Sequence, residues 1–244
     1  MSPQPVNLVG GTGSPYTQKM AALLRYRRIP YVITWGQPEV MCEALGVAAP
    51  KPTFMPTFFF EQDGELAAHC DSTPIIRRLE AEHAGRSVLP EDPALAFIDY
   101  LIEDFADEWC TKYMFHYRWH FEADADNAGT KLPLSMDVSM PKEQFQQFKD
   151  IISQRQIDRL WVVGSNEVTA PIIDASYRRF LAAMESHLAE QPFMLGQRPG
   201  AGDFGLFGQL SQLVGFDPTS REIAHDVSPR TVGWVDKMPD GSGL

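Results

Sequence analysis

A hydroxyl at a helix start, a proline at a strand start and an acid at a second helix start are the residues best placed to do chemistry. Ser14 follows a glycine-rich turn and precedes Pro15, which suits the first position of a helix. A side-chain oxygen there lies beside free backbone N–H groups, where the helix dipole favours an anion. Ser14 is therefore a candidate for stabilising a bound anion, and its alternative role is that of a helix cap alone.

The same turn contains other candidate donors. Thr12, Tyr16 and Thr17 lie close enough to Ser14 to take its place, and a shift of one residue in the loop would decide between them.

Pro56 and Asp71 mark the second and third parts of this arrangement. Pro56 heads an apolar run and cannot donate to a ladder, so it belongs at the first residue of a strand. A cis bond to Met55 would turn the Met55 backbone outward to pair with an extended ligand. Asp71 and Ser72 open the next helix, whose N–H groups would face a carboxylate.

The elements that position these residues follow from apolar patterns and turns. Strand 6–9, helix 15–27 and strand 31–35 form a right-handed βαβ unit. A hairpin turning at Asp63-Gly64 follows Pro56, and a helix runs from Ser72 to Ala84.

This order of elements and motifs resembles the thioredoxin-like domain of the glutathione S-transferases, residue by residue over the first third of the chain and by architecture beyond it. The resemblance implies that Ser14 matches the serine and cysteine classes and activates the glutathione sulfur. It also implies that Met55, before Pro56, bonds the cysteinyl backbone. Asp71 and Ser72, where the family usually has Glu-Ser, would hold the γ-glutamyl end.

Two further residues lie where family members often contact the glycyl carboxylate. They are Lys51 and Gln37, and a cation near an anionic ligand is favourable in so acidic a protein. Either residue could equally be a solvated surface side chain.

The predicted fold class is α/β plus all-α: a thioredoxin-like βαβ-ββα domain over residues 1–85, a linker over 86–93, and a helical bundle over 94–244. Apolar spacing predicts four helices in the bundle, over residues 94–121, 144–163, 172–189 and 204–214.

The polar stretch 123–141 is predicted to be a loop or insertion. The tail 216–244 could fold back over the cleft with Trp234 as a plug, or use Trp234 as a surface anchor. Asp203 is predicted to be structural, although Gly200 at the cap position lacks a side chain.

An aromatic stripe near the predicted cleft is the candidate second-substrate pocket. Trp109, Tyr113 and His116 share a helix face, with Tyr117 beside it, and Tyr16 comes from the first domain. Packing against neighbouring helices is the alternative for this stripe. His116 and His120 at i, i+4 also allow a metal interpretation with Glu103, Asp107 or Glu122, but no HExxH-type pattern supports it, so no metal is predicted.

Composition limits the partners. The chain has 244 residues and a net charge of −11, which disfavours nucleic acid or anionic membrane as the main partner. No apolar run reaches transmembrane length and residues 1–5 lack a signal peptide's pattern, so a cytoplasmic protein is expected. Three cysteines at spacings typical of neither disulfides nor zinc sites are expected to be reduced; they are Cys42, Cys70 and Cys110.

The sequence-based hypothesis is glutathione conjugation to a small, largely apolar electrophile by a homodimer, the dimer being implied by the resemblance. Two alternatives stay open: a non-catalytic glutathione-binding or interaction protein of the same fold, and a glutathione-dependent isomerase or dehalogenase. A glutaredoxin-like reductase is disfavoured because Ser14 and Thr17 stand where that chemistry needs cysteines.

Overall fold

The computed structural model describes residues 4–243, so residues 1–3 and 244 of the predicted domains lie outside it. Its sheet has the order β2-β1-β3-β4. β1 (Val6–Gly10) pairs in parallel with β2 (Tyr31–Trp35) and antiparallel with β3 (Thr57–Gln62), which pairs antiparallel with β4 (Glu65–His69). The predicted fold class, a thioredoxin-like domain followed by an all-helical domain, is confirmed.

Helices flank this sheet and build the rest of the chain. The first three are α1 (Pro15–Arg27), α2 (Pro38–Leu45) and α3 (Ser72–Glu82). The helical domain contains α4 (Pro93–Asp104), a π-helical segment (Phe105–Cys110), α5 (Thr111–His120), α6 (Glu122–Met136), α7 (Lys142–Ile157), a 3-10 turn (Leu160–Val163), α8 (Ala170–Leu188), α9 (Ala201–Leu213), α10 (Pro218–Val227), α11 (Pro229–Lys237) and a last 3-10 turn (Met238–Asp240). None of the helices in residues 4–243 combines the length and apolar character needed to cross a membrane.

The prediction of a loop over residues 123–141 is wrong, because α6 occupies most of that stretch. The composition of α6 is polar, and the helix forms because it has a small apolar face. Ala125 and Ala128 are buried in a cluster with Trp119 and Phe216. Tertiary packing thus stabilises a helix whose intrinsic pattern is weak.

The two interpretations of Trp234, a plug over the cleft and a surface anchor, are both corrected. The tail forms α10 and α11, which pack on α8, and Trp234 is 7% exposed within the main core. Its indole Nε1 donates to the carbonyl of Pro192 at 3.0 Å, as a buried indole N–H requires. The short helix α2, absent from the predicted elements, begins at Pro38 and ends at Leu45, where Gly46, with a φ of 69°, caps it.

α1 and α9 form the main junction between the two domains. A Cβ at Gly208 would lie 2.6 Å from the carbonyl oxygen of Pro15, so only glycine permits this approach of the helices. Phe204 and Phe207 of α9 share one core with Met20 and Leu24 of α1. Asp203 at the start of α9 accepts backbone N–H groups from Gly200 at 3.0 Å and Met194 at 2.9 Å, the structural role expected of it.

The buried side chain of His116 makes the stability of the fold depend on pH. It is 1% exposed, its Nδ1 bonds the hydroxyl of Ser165 at 2.8 Å, and burial, aided by the neighbouring His120, lowers its pKa to about 4. Because the unfolded chain takes up this proton near pH 6.5, the contribution of neutral His116 to stability is present above that pH and is lost as the pH falls toward 4.

We expect His116→Gln to flatten the fall in unfolding free energy between pH 6.5 and 4, a fall to which His116 contributes up to about 3 kcal/mol. Urea unfolding at several pH values measures this slope. His225→Gln, an exposed position on α10, is the control and should keep the wild-type slope. A His116→Gln slope equal to wild type would contradict the assignment.

Candidate functional site

Ser14 caps α1 and faces the segment before β3. Its Oγ accepts the backbone N–H of Thr17 at 3.2 Å and donates to the carbonyl of Met55 at 3.4 Å. The Met55–Pro56 peptide bond is cis, as is Lys51–Pro52. Because the bond from Ser14 to Met55 is long, the hydroxyl hydrogen of Ser14 has only a weak partner within residues 4–243.

The three other candidate donors of this loop differ in their contacts. Tyr16 donates its hydroxyl to the carbonyl of Asp107 at 2.7 Å, and burial raises the pKa of Tyr16 to about 12. Thr17 is fully buried, and its Oγ1 accepts the N–H of Gly11 at 3.4 Å. At Thr12 it is the backbone carbonyl, and not the hydroxyl, that accepts the side-chain amides of Gln18 and Gln212. The geometry favours Ser14 because its hydroxyl reaches the carbonyl of Met55, next to the cis peptide bond of Pro56.

Asp71 and Ser72 lie at the start of α3. Asp71 has a φ of 81°, and its carboxylate accepts the N–H of Thr73 at 3.3 Å, while the rest of the side chain is exposed. Ser72 is buried, and its Oγ accepts the ammonium of Lys19 at 2.9 Å. An α1 side chain thus connects the helix that begins beside Ser14 to the start of α3.

The two candidates for the glycyl carboxylate differ in their surroundings. Lys51 is exposed. Gln37 is half-buried and donates its Nε2 to the thioether of Met136 on α6 at 3.4 Å. A ligand that used the Gln37 amide would have to displace this contact with Met136.

The aromatic stripe packs mainly within the helical domain, which was the alternative to a substrate pocket. Tyr113 bonds Ser176 at 2.8 Å and Tyr117 donates to Asp174 at 2.6 Å, both on α8. His116 is held by Ser165. Trp109 is 49% exposed and donates its Nε1 to Tyr113 at 2.9 Å. These contacts join α5 to its helical neighbours and give none of the four residues a bond to the Ser14 loop in the part of the chain that the structure describes.

Comparison with protein families agrees with this geometry. The model of the glutathione S-transferase N-terminal domain matches residues 8–87, and that of the glutathione S-transferase C-terminal domain matches residues 154–237, together about two thirds of the chain. This chain belongs to the glutathione S-transferase superfamily. A comparison with curated proteins found no match.

Solved structures with the same fold span almost the whole chain at low identity. The β-etherase LigF from Sphingobium sp. strain SYK-6 is 17% identical with a TM-score of 0.62, covering 96% of this chain and 95% of that one. A glutathione transferase family member from Pseudomonas fluorescens pf-5, with two glutathione bound, is 16% identical with a TM-score of 0.59, covering 97% and 89%. FzlA from C. crescentus is 16% identical with a TM-score of 0.56, covering 98% and 90%.

Residues 88–153 lie between the two superfamily domain matches, and they include α6, which covers the Ser14 loop. A Cβ on Gly13 would overlap Cδ2 of Leu132 and lie 3.6 Å from the Phe216 ring. Leu132 and Met136 are one helical turn apart, so one face of α6 reaches both Gly13 and Gln37. The sequence does not predict this face, because the polar composition of residues 123–141 is typical of a loop.

Arg118 on α5 is a second residue that the sequence analysis missed. It is 3% exposed, and its Nη1 donates to the carbonyl of Gly13 at 2.7 Å. Its Nε donates to Asp217 at 3.0 Å and its Nη2 to Gln212 at 2.8 Å. A buried guanidinium with all these partners fixes the backbone next to Ser14. No local pattern around Arg118 signals that role.

Gly13→Ala should destabilise the protein by about 1–2 kcal/mol, because the new methyl group must displace Leu132. Adding Leu132→Ala should recover part of that loss, and a double-mutant cycle on unfolding free energies measures the coupling. Gly11→Ala is the matched control, since its Cβ would meet only the Met55 sulfur at an ordinary 3.4 Å. Additive effects of Gly13→Ala and Leu132→Ala would show that α6 does not press on this loop.

Proposed function

We propose that this protein is a glutathione transferase in which Ser14 holds the glutathione sulfur as a thiolate for attack on a small, largely apolar electrophile. The observation that carries the proposal is the meeting of the Ser14 hydroxyl with the Met55 backbone, at 3.4 Å, beside Pro56. Membership of the superfamily and glutathione-bound structures of the same fold support glutathione as the ligand.

The ligand would lie extended along the edge of the N-terminal domain. Its cysteinyl backbone pairs with the backbone of Met55, and its γ-glutamyl end reaches α3, where the hydroxyl and backbone N–H of Ser72 meet the carboxylate and Asp71 meets the ammonium. Exposed Lys51 supplies a positive charge for the glycyl carboxylate. Gln37 contributes there only after leaving Met136.

The chemistry follows from what Ser14 can donate. A thiol with a pKa of about 8.5 is mostly protonated at neutral pH, and the thiolate is the nucleophile. The Ser14 Oγ already accepts the N–H of Thr17. The hydroxyl hydrogen of Ser14 would therefore turn from the carbonyl of Met55 toward the glutathione sulfur. That bond and the start of α1 lower the thiol pKa, so the proton passes to solvent. The sulfur lone pair then forms the new bond to carbon, and the leaving group departs with its electron pair.

The second substrate would approach between the Ser14 loop and α6. Leu132 is half-buried and offers apolar surface next to Gly13, where the largely buried ring of Phe216 also lies, whereas the aromatic stripe is engaged with α8. We therefore replace Tyr113, His116 and Tyr117 with these two residues as candidate walls of the pocket. Tyr16 is bonded to Asp107 and Trp109 is half exposed, and both stay predictions for the substrate pocket.

Ser14→Ala should raise the pKa of the bound thiol by about 1–2 units while leaving glutathione affinity within roughly threefold. The ultraviolet absorbance of the thiolate against pH measures the pKa, calorimetry measures affinity, and turnover of an aryl halide near pH 6.5 should fall about 10- to 100-fold.

Ser228→Ala is the matched control, because Ser228 also caps a helix through Thr231 but lies at α11. It should cost stability as Ser14→Ala does and leave the thiol pKa unchanged. If the wild type binds glutathione but the bound thiol keeps an ordinary pKa, the non-catalytic alternative is favoured. If the wild type acts on isomerase or dehalogenase substrates and not on the aryl halide, the glutathione-dependent isomerase or dehalogenase is favoured.

We also propose that the protein is a homodimer, as the superfamily resemblance implies, and that it works in the cytoplasm. α4 supports the dimer with a row of exposed apolar side chains, among them Phe97 at 61% and Leu101 at 47% exposure. Such a row is typical of a covered surface.

Phe97→Asp combined with Leu101→Asp should convert the dimer to monomer in sedimentation velocity, because two charges per chain would enter the apolar contact. Val138→Asp, at a position 87% exposed between α6 and α7, is the control and should remain dimeric. A wild-type monomer, or a dimer that survives both charges, would contradict the proposed interface.

A further inference from the structure

A lysine ammonium is buried where the two domains meet. Lys19, in α1 and five residues after Ser14, has no exposed surface. Its Nζ lies 2.9 Å from Ser72 Oγ, 2.8 Å from Glu103 Oε1 and 2.6 Å from Asp107 Oδ2. An ammonium has three N–H donors, so these partners use its full capacity. Burying such a charge costs several kcal/mol unless it is fully paired, and this one is.

Glu103 and Asp107 come from α4 and the π-helical segment, while Ser72 comes from α3. Glu103 is fully buried and also accepts Thr73 Oγ1 at 3.0 Å and Arg77 Nη2 at 3.4 Å. Two positive and two negative side chains therefore meet at the start of α3. Lys19 is the member of this group that contacts Ser72.

The contact with Lys19 sets the direction of the Ser72 hydroxyl. An ammonium can only donate, so Ser72 Oγ must accept from it and its own hydrogen points elsewhere. In residues 4–243, no hydrogen bond has the Ser72 hydroxyl as donor to a protein acceptor. Ser72 is the first residue of α3, and its backbone N–H lacks a helical partner, whereas the N–H of Thr73 is bonded to Asp71 and Pro74 has none. The hydroxyl hydrogen and the backbone N–H of Ser72 together can donate to a carboxylate.

We infer that Lys19 is a positioning residue that makes Ser72 a dedicated donor to the α-carboxylate of a γ-glutamyl ligand. The inference rests on the proposed function, and it assigns to a residue of α1 part of the ligand selectivity at α3. The helical domain takes part through Glu103 and Asp107, which hold the ammonium against Ser72. Docking of the two domains is thereby a condition for tight recognition of the γ-glutamyl end.

The test compares two ligands by calorimetry. One is glutathione, and the other is γ-aminobutyryl-cysteinyl-glycine, which replaces the α-carboxylate with hydrogen and keeps the rest. Wild type should prefer glutathione by about tenfold or more, since charge-assisted hydrogen bonds are lost with the second ligand. Lys19→Met should cut that preference severalfold by weakening glutathione alone. A merely structural role for Lys19 would weaken both ligands together and keep the ratio.

Ser72→Ala should cut the preference to a similar value, and the double variant Lys19→Met/Ser72→Ala should cut it no further, because both changes remove one donor. Arg77→Met is the control: it removes a cation bonded to Glu103 without touching Ser72, and should keep the wild-type ratio. If Lys19→Met does not fold, Lys19→Met/Glu103→Gln/Asp107→Asn replaces it, since that set leaves no buried charge unpaired.

Two outcomes separate the inference from the proposed function. Wild type binding neither ligand overturns the proposed function, and the inference with it. If the wild type binds glutathione, the role of Lys19 is overturned by either of two results: Lys19→Met keeps the full preference, or the effects of Lys19→Met and Ser72→Ala are additive. The proposed function would stand in both cases.

Discussion

The close packing of α1 on α9 is the constraint on which the candidate site depends. Gly208 lets α9 approach the first turn of α1, so Ser14 at the start of that helix lies at the boundary between domains. Arg118 of the helical domain donates to the Ser14 loop at Gly13. Glu103 and Asp107 of the helical domain bind Lys19 of α1, which in turn donates to Ser72 at the start of α3. A thioredoxin-like domain alone would present Ser14 and Met55, but without the groups that hold the loop and Ser72 in place.

Both of these interdomain cations are buried in a protein whose net charge is −11. Lys19 meets two carboxylates, and Arg118 meets Asp217 together with two uncharged oxygens. Buried ion pairs of this kind contribute little net stability relative to apolar packing, whereas loss of one member leaves a costly unpaired charge. Their value is in directing particular atoms: the carbonyl of Gly13 in one case and the hydroxyl of Ser72 in the other.

The sequence allowed the local parts of the site to be predicted because each has a short-range cause. Pro15 after Ser14, Pro56 before an apolar run and Asp71 before a helix are signals contained within a few residues. Lys19 and Arg118 had no such signal, since their partners lie 53 to 105 residues away along the chain. α6 was missed for a related reason: Ala125 and Ala128 form too small an apolar face to stand out until Trp119 and Phe216 cover it.

The residues that would bind glutathione lie in segments matched by the superfamily models, whereas several residues around them do not. The segments matched by the superfamily models hold Ser14, Met55 and Ser72, which would bind and activate glutathione. Leu132, Arg118, Glu103 and Asp107 lie in residues 88–153, outside both matches. A shared fold supports many reactions, and the groups next to the reacting atom decide among them. Because Leu132 touches the residue before Ser14, the choice of electrophile should depend on α6 more than on any motif of the glutathione-binding domain.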